Sequence, residues 1–331
     1  MSFTVRHKTG PQFYAFHKHI DNENHMKQII LITLLAISGL SMADEKRLAQ
    51  GQQPYVQQKA VLITGASSGL GLAMAEKLAA EGFYVYAGAR KQQDIHKLNQ
   101  KNNMQGIRLD VTIQTDIDEA VKTIEKAGRG LYGLVNNAGV TVLEPLIEVS
   151  EESMQFQMDV NLFGPYRVTK AFAPMIIKSQ GRIASVSSLL GVITGAITGP
   201  YSMSKHAIEA FSDALAAEMK KFNVQVSVIE PGNYNSQVIK SMRLRMQKEA
   251  SSDVSSLYLE EQERLKQFIP ADRSGFKKPD DVALAVFDAM TAITPKKRYL
   301  VAPVKKEADM TIRGALRRVV QLNQGHVYSL T

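Results

Sequence analysis

Thr64-Gly65-Ala66-Ser67-Ser68-Gly69-Leu70-Gly71 follows directly on a β-branched run at 60–64, and a helix-forming stretch opens immediately after it at Leu72-Ala73-Met74-Ala75. Gly65, Gly69 and Gly71 allow a sharp turn and a close backbone approach to a pyrophosphate. The helix start at Leu70 then offers unpaired N–H groups and the positive end of its dipole to that anion, and Ser67 and Ser68 can add donors for a ribose 2′-phosphate. A glycine cluster alone is a weak signal. Placed between a strand and a helix, it is a strong one for a dinucleotide site.

The pattern repeats outward from this turn. Short apolar runs at 60–64, 83–87, 106–109, 131–135, 181–186, 224–229 and 298–301 are separated by amphipathic segments of helix length. Such alternation predicts right-handed βαβ crossovers and a doubly wound α/β fold: a parallel sheet of about seven strands with helices on both faces. No internal repeat or composition shift divides residues 59–331, so they are expected to form one catalytic domain. The 331 residues include 44% hydrophobic and 22% charged types, which excludes wholesale disorder. The absence of cysteine excludes thiol nucleophiles, disulfide scaffolds and Cys-ligated metals.

At the end of the second strand an enzyme built for NAD usually places an acid for the ribose 2′-hydroxyl. Here stand Arg90 and Lys91, which suit a 2′-phosphate and favour NADP(H) over NAD(H). Asp110 and Val111, after the third strand, are placed to clasp an adenine. Asn136-Asn137-Ala138-Gly139 ends the fourth strand in the ligand crevice.

Tyr201 and Lys205 lie four residues apart at the start of a helical stretch, on one face. A neighbouring ammonium is expected to lower the tyrosine pKa and make Tyr201 a general acid/base. Ser188, at the end of the fifth strand, can orient the reacting oxygen. Asn161 falls in a helix starting near Ser150. Pro165, four residues on, deprives its carbonyl of a helical partner, so a kink and a free carbonyl for a proton-relay water are expected. His206 is adjacent to Lys205 but points about 100° away, which fits a packing role.

These motifs together resemble the short-chain dehydrogenase/reductase family over roughly residues 59–236. The resemblance rests on Thr64-Gly65-x-x-x-Gly69-x-Gly71, Asn136-Asn137-Ala138-Gly139, Asn161, Ser188, Tyr201-x-x-x-Lys205 and Pro231-Gly232. It implies a Rossmann-type fold and an Asn–Ser–Tyr–Lys tetrad. It also implies that Lys205 bonds the nicotinamide ribose while Tyr201 exchanges a proton with the substrate oxygen. Residues 130–139 and Glu230-Pro231-Gly232 look most like the hydroxysteroid and retinol dehydrogenase branch. Ser236 stands where the family often has threonine, with the hydroxyl retained.

The expected reaction is hydride transfer between nicotinamide and a hydrophobic alcohol, ketone or aldehyde. Alternatives are an epimerase or dehydratase on the same scaffold, or a cofactor-binding sensor. Leu189, Leu190, Val192, Ile193 and Ile197 suit a lipophilic substrate. In the long insertion at 233–275, Met242, Leu244 and Met246 alternate with arginines, and 257–268 reads as a lid helix. A homodimer or homotetramer is expected.

Residues 296–331 carry eight Lys and Arg against two acids. Ile312, Leu316, Val319 and Val320 form one helical stripe there, read as the face that docks the helix on the body, with contact to an anionic membrane as the alternative. No base-reading motif points to nucleic acid. Residues 1–25 are polar, and His17-x-His19 lacks a third ligand, so no metal site is expected. Met26-Lys27, the apolar run 29–40 and Ser41-Met42-Ala43 make 26–43 a secretory-signal-like or anchor segment, followed by a linker at 44–58. An anchor leaves the body in the cytoplasm beside NADPH, whereas cleavage after Ala43 releases a periplasmic or secreted protein.

Overall fold

The computed structural model describes residues 58–240, 242–243, 256–270 and 272–325. They belong to one compact unit, Gln58–Thr331. The histidine-rich start, the 26–43 segment, nearly all of the linker, Leu244 and Met246 lie outside the described residues.

Seven parallel strands form one sheet in the order β3-β2-β1-β4-β5-β6-β7. They are β1 (Ala60–Ile63), β2 (Tyr84–Ala89), β3 (Met104–Arg108), β4 (Gly133–Asn136), β5 (Arg182–Val186), β6 (Gln225–Pro231) and β7 (Arg298–Val301). The sequence reading finds all seven, with boundaries off by up to two residues. The crossovers are α1 (Gly69–Ala80), α2 (Gln92–Asn99), α3 (Gln114–Ala127), the pair α4 (Glu151–Met158) and α5 (Gly164–Lys178), and α6 (Gly199–Met219). They continue with α7 (Leu259–Phe268) and α8 (Asp280–Thr291), and α9 (Lys305–Asn323) follows β7.

Strand alternation sends Val61 and Ile63 to one face and Ala60 and Leu62 to the other, and all four are buried. The first face packs on Met74 and Leu78 of α1, Ile95 and Leu98 of α2, and Val282 and Val286 of α8. The second packs on Ile117 and Ile124 of α3, Phe172 and Ile176 of α5, and Met219 of α6. Burial on both faces explains why the strands read as continuous apolar runs. The order reverses between β1 and β4, and this places the ligand crevice at their carboxyl ends.

The expected kink before Pro165 takes a definite form. Ser150 caps α4 by accepting the Ser153 N–H at 3.1 Å. The helix then widens into a π-turn over Asp159–Phe163, where the Gly164 N–H donates to the Asp159 carbonyl five residues back. Asn161 sits inside that turn.

The C-terminal helix differs from expectation. Its docked face is Ala308, Thr311, Gly314 and Ala315, and an ideal Cβ on Gly314 would lie 2.4 Å from Ile193 Cγ2. Only small residues allow that approach, so Ile312, Leu316, Val319 and Val320 are left 50–58% exposed. The stripe is therefore not the docking face.

Candidate active site

The glycine loop is held by side chains as much as by its glycines. Thr64 Oγ1 accepts from the N–H groups of Asn137 and Ala138, both at 2.9 Å. Asn137 Nδ2 returns bonds to the carbonyls of Thr64 at 2.8 Å and Gly65 at 3.1 Å. Gly65 has φ +65°, and an ideal Cβ on Gly71 would lie 2.2 Å from the Gly65 carbonyl oxygen. Asn137, expected to touch cofactor, has its side-chain amide committed to tying the ends of β1 and β4 together. The Ser68 hydroxyl makes no cap bond, and helical bonding begins with the Leu72 N–H on the Ser68 carbonyl at 3.2 Å. The N–H groups of Gly69, Leu70 and Gly71, with the Ser67 and Ser68 hydroxyls beside them, are thus left for an anion. A dinucleotide pyrophosphate fits this cradle.

Arg90 follows β2, its side chain 64% exposed, with Nη1 3.8 Å from Asp110 Oδ2. Arg108 fixes its backbone by donating to the Arg90 carbonyl at 2.6 Å. Asp110 Oδ1 accepts from Thr112 N–H and Oγ1, at 3.0 and 2.7 Å. Val111 is buried beneath Gly164, where an ideal Cβ would lie 2.6 Å from Val111 Cγ2.

Tyr201 and Lys205 occupy the first turns of α6. Ser188 hydrogen-bonds the Tyr201 hydroxyl, and Ser188 Oγ also accepts from the Leu190 N–H at 3.2 Å. Lys205 is 5% exposed and donates to the Val186 carbonyl at 2.8 Å, with Nζ 5.7 Å from the Tyr201 ring centre. The electrostatics correct the sequence expectation. Burial pushes the Tyr201 pKa up, opposed by the Ser188 bond, and brings Lys205 down to about 8 against the pull of Glu209. For the tyrosine, desolvation outweighs the Ser188 bond.

Asn161 acts here through its side chain. Oδ1 accepts the Val140 N–H at 2.8 Å, while Nδ2 donates to the Val140 carbonyl at 3.0 Å and to Ser204 Oγ at 3.1 Å. Gln157, one turn earlier, accepts the Val142 N–H at 2.6 Å and donates to the Val140 carbonyl at 3.1 Å. Together they pin the segment after β4 against α6. Gly139 keeps the gap open, since its ideal Cβ would lie 3.4 Å from Asn161 Oδ1 and 3.8 Å from Lys205 Nζ.

Pro231 ends β6, and the Gly232 N–H bonds the Val301 carbonyl at 2.8 Å. Glu307 of α9 accepts the Asn233 N–H at 2.9 Å, and buried Arg273 donates to Asn233 Oδ1 and the Tyr234 carbonyl at 2.6 and 2.7 Å. The chain beyond them passes Gly69, whose ideal Cβ would lie 3.6 Å from Ser236 Cα. Sequence reasoning assigned no role to Thr64, Gln157, Ser204, Arg273 or Glu307. Only Gln157 carried a local signal, four residues before Asn161 on the same helical face.

His206 packs as expected, its Nδ1 2.9 Å from the Ser202 carbonyl and its Nε2 2.9 Å from Arg318 Nη1 of α9. On the substrate side, Leu143, Ile197 and Met242 form a buried cluster against which Tyr201, Leu265 and Ile269 pack. Ile193 belongs instead to the α9 contact. Ile197 has φ +66°, a strained conformation for a β-branched residue, at the wall of this cleft. The expected lid helix is α7, two residues shorter at its start.

A profile of the short chain dehydrogenase family matches residues 59–247. The chain is 32% identical over 298 residues to the mitochondrial D-beta-hydroxybutyrate dehydrogenase of Rattus norvegicus, covering 84% of this chain and 86% of the relative. It is 34% identical over 257 residues to retinol dehydrogenase 16 of Mus musculus, covering 74% and 81%. A short-chain dehydrogenase structure from Streptomyces avermitilis superposes with a TM-score of 0.67 at 26% identity, over 82% of this chain and 99% of the other. The chain belongs to the short-chain dehydrogenase/reductase family, of the hydroxysteroid and retinol dehydrogenase type. It is an oxidoreductase of CH–OH and C=O groups, on a fold that binds a nicotinamide cofactor.

Proposed function

We propose that this protein is an NADP(H)-dependent dehydrogenase/reductase of lipophilic secondary alcohols, ketones or aldehydes. The observation that carries the reading is the convergence of Ser188, Tyr201 and Lys205 beside Gly139 at the carboxyl ends of β4 and β5. When bound, the nicotinamide supplies or accepts the hydride. Ser188 and Tyr201 both bond the substrate oxygen, and Tyr201 gives it a proton on reduction or takes one on oxidation. Lys205 supports the charge that develops on the Tyr201 oxygen and holds the nicotinamide ribose. Asn161 keeps the segment after β4 in register with α6. Gly65 to Gly71, with Ser67 and Ser68, take the pyrophosphate; Asp110 and Val111 flank the adenine; Gly139, Pro231 and Gly232 border the nicotinamide. Exposed Arg90 takes the 2′-phosphate.

Turnover of a panel of lipophilic alcohols and ketones, followed at the nicotinamide absorbance band with each cofactor, tests this reading. Expected is NADP(H)-linked turnover that falls about 10²–10⁴-fold in Tyr201→Phe. Cofactor binding without turnover of any substrate would instead favour a sensor.

We also assign residues 59–331 as one catalytic domain, 26–43 as a membrane anchor and 44–58 as a linker, with the catalytic body facing a compartment that holds NADPH. The exposed stripe of α9, flanked by Lys306, Arg313 and Arg317, supports a second contact with an anionic membrane surface. Among the described residues no helix is long and apolar enough to cross a membrane.

A further inference from the structure

The cleft beside Tyr201 has a polarity that the oxidoreductase chemistry does not require. Ile197, Met242, Leu265 and Ile269 line a cavity of about 230 Å³, and the remaining lining side chains include Arg243 and Lys266. The apolar residues belong to the cluster in which Tyr201 also packs, which puts the cavity beside the reacting end of the site. Its volume falls below the roughly 300–1,000 Å³ of drug-sized ligand pockets, which suits an extended chain better than a fused-ring body. Ile197, held at positive φ, forms part of its wall.

The two cations have no counterpart in the chemistry at Tyr201. Among the described residues Arg243 has no ion-pair partner. Lys266 pairs with Glu263 one turn earlier on α7, which engages one of its three ammonium donors. Gln262, also in the lining, is tied through Nε2 to Ser256 Oγ at 3.1 Å. An apolar slot with an arginine and a lysine among its lining residues is complementary to an amphiphile with an anionic end.

We infer that the substrate of this site is an aliphatic carbonyl compound or alcohol of medium chain length with an anionic group at its far end. The chain lies along Ile197, Met242, Leu265 and Ile269, and the anion is held by Arg243 and Lys266. The assignment of the reacting end to Tyr201 rests on the oxidoreductase reading above; the anion site does not.

Binding and turnover separate the two. Calorimetric titration of the full-length protein with nonanoate and with nonan-1-ol reads the anion site without any reaction. Nonanoate is expected to bind at least about tenfold more tightly, as charge-assisted bonds predict. That preference is expected to vanish in the Arg243→Gln/Lys266→Gln double variant and to weaken in Lys266→Glu. In turnover, the kcat/KM ratio of 8-oxononanoate to its methyl ester should fall by a similar factor in the double variant. Equal binding of acid and alcohol by the wild type, or a preference that survives the double variant, overturns the anion site. Reduction of both ketones without an acid preference leaves the oxidoreductase reading standing and the inference refuted. A nonanoate preference with neither ketone reduced keeps the anion site and overturns its assignment as the anchor of a substrate reacting at Tyr201.

Discussion

Lys205 Nζ lies 2.8 Å from the carbonyl oxygen of Val186, the last residue of β5, so the buried ammonium is tethered to the strand that delivers Ser188. The tether fixes where the charge sits, while burial makes it costly and brings its pKa to about 8. Tyr201, pushed above its usual value, keeps its proton across the working range. Carbonyl reduction by the proposed mechanism needs both the phenol proton and the ammonium. Its kcat/KM should be flat below pH 8 and fall above it, by about tenfold per pH unit at the steepest. Lys205→Arg keeps a charge at every accessible pH. It should lose rate overall but also lose the alkaline limb, which a pH profile of the variant reads directly.

Behind this lysine lies a second buried group. Glu230, 4% exposed, is raised to about 7 by burial and by Glu209, with Arg298 at 3.5 Å opposing. A carboxyl raised in the folded state binds a proton there that the unfolded chain has released, so it supports stability at low pH. That support is lost as pH rises from about 4.5 through 7. Glu230→Gln should therefore be nearly neutral at pH 4 and raise Tm at pH 8 by a few degrees, about 3 °C. Thermal melts across pH check this; an effect independent of pH would contradict it.

Asn161 and Gln157 pin the same loop, but only Asn161 borders Lys205 across Gly139. Either change to Ala leaves buried main-chain groups unpaired and should cost about 1–3 kcal/mol in denaturant unfolding. Asn161→Ala should in addition lower kcat at saturating cofactor by at least about tenfold, and Gln157→Ala by much less. Equal losses of kcat would make Asn161 merely a structural clamp.

The sheet was readable because each strand is buried on both faces, so seven β-branched runs stood out between amphipathic segments. The Tyr201–Lys205 pair was readable because helical periodicity alone puts both on one face. What was not readable depended on contacts distant in the chain. Arg273 reaches Asn233 and Tyr234 across some forty residues, and Glu307 reaches Asn233 from α9, with no local pattern to mark either. The raised pKa of Tyr201 is hidden from the sequence for a related reason: spacing reveals the neighbouring ammonium but not the depth of burial, and burial dominates. The C-terminal stripe failed differently. Periodicity located an apolar face, but the approach of Gly314 to Ile193 selected the face with small side chains for docking.

In the proposed reading Arg90 is the residue that selects the cofactor. Its guanidinium is exposed at the end of β2, with Asp110 at 3.8 Å as a loose partner and its backbone held by Arg108. Arg90→Asp should raise KM for NADP by about tenfold or more and lower it for NAD, through lost charge-assisted bonds and a regained acceptor for the ribose hydroxyl. The fold should be indifferent, because the side chain is mostly in solvent. Unchanged preference would remove Arg90 from the site and leave NADP(H) selection to another group.

The stripe on α9 offers the last test. Ile312, Leu316, Val319 and Val320 are each at least half exposed, and Lys306, Arg313 and Arg317 lie along one side. An interfacial helix needs this pairing: the apolar face buries in the acyl boundary while the cations meet anionic headgroups, with attraction that falls as salt rises. Full-length protein should cosediment with phosphatidylcholine vesicles that contain phosphatidylglycerol more than with phosphatidylcholine alone. Because the proposed anchor at 26–43 would also bind lipid, the informative quantity is the loss in Ile312→Ser/Leu316→Ser/Val319→Ser. That variant replaces no residue of the docked face, so its Tm should hold while vesicle binding falls several-fold. Binding unaltered by the triple change, or a wild-type protein that self-associates through the stripe and loses that association in the variant, would assign the surface to a second copy of the chain.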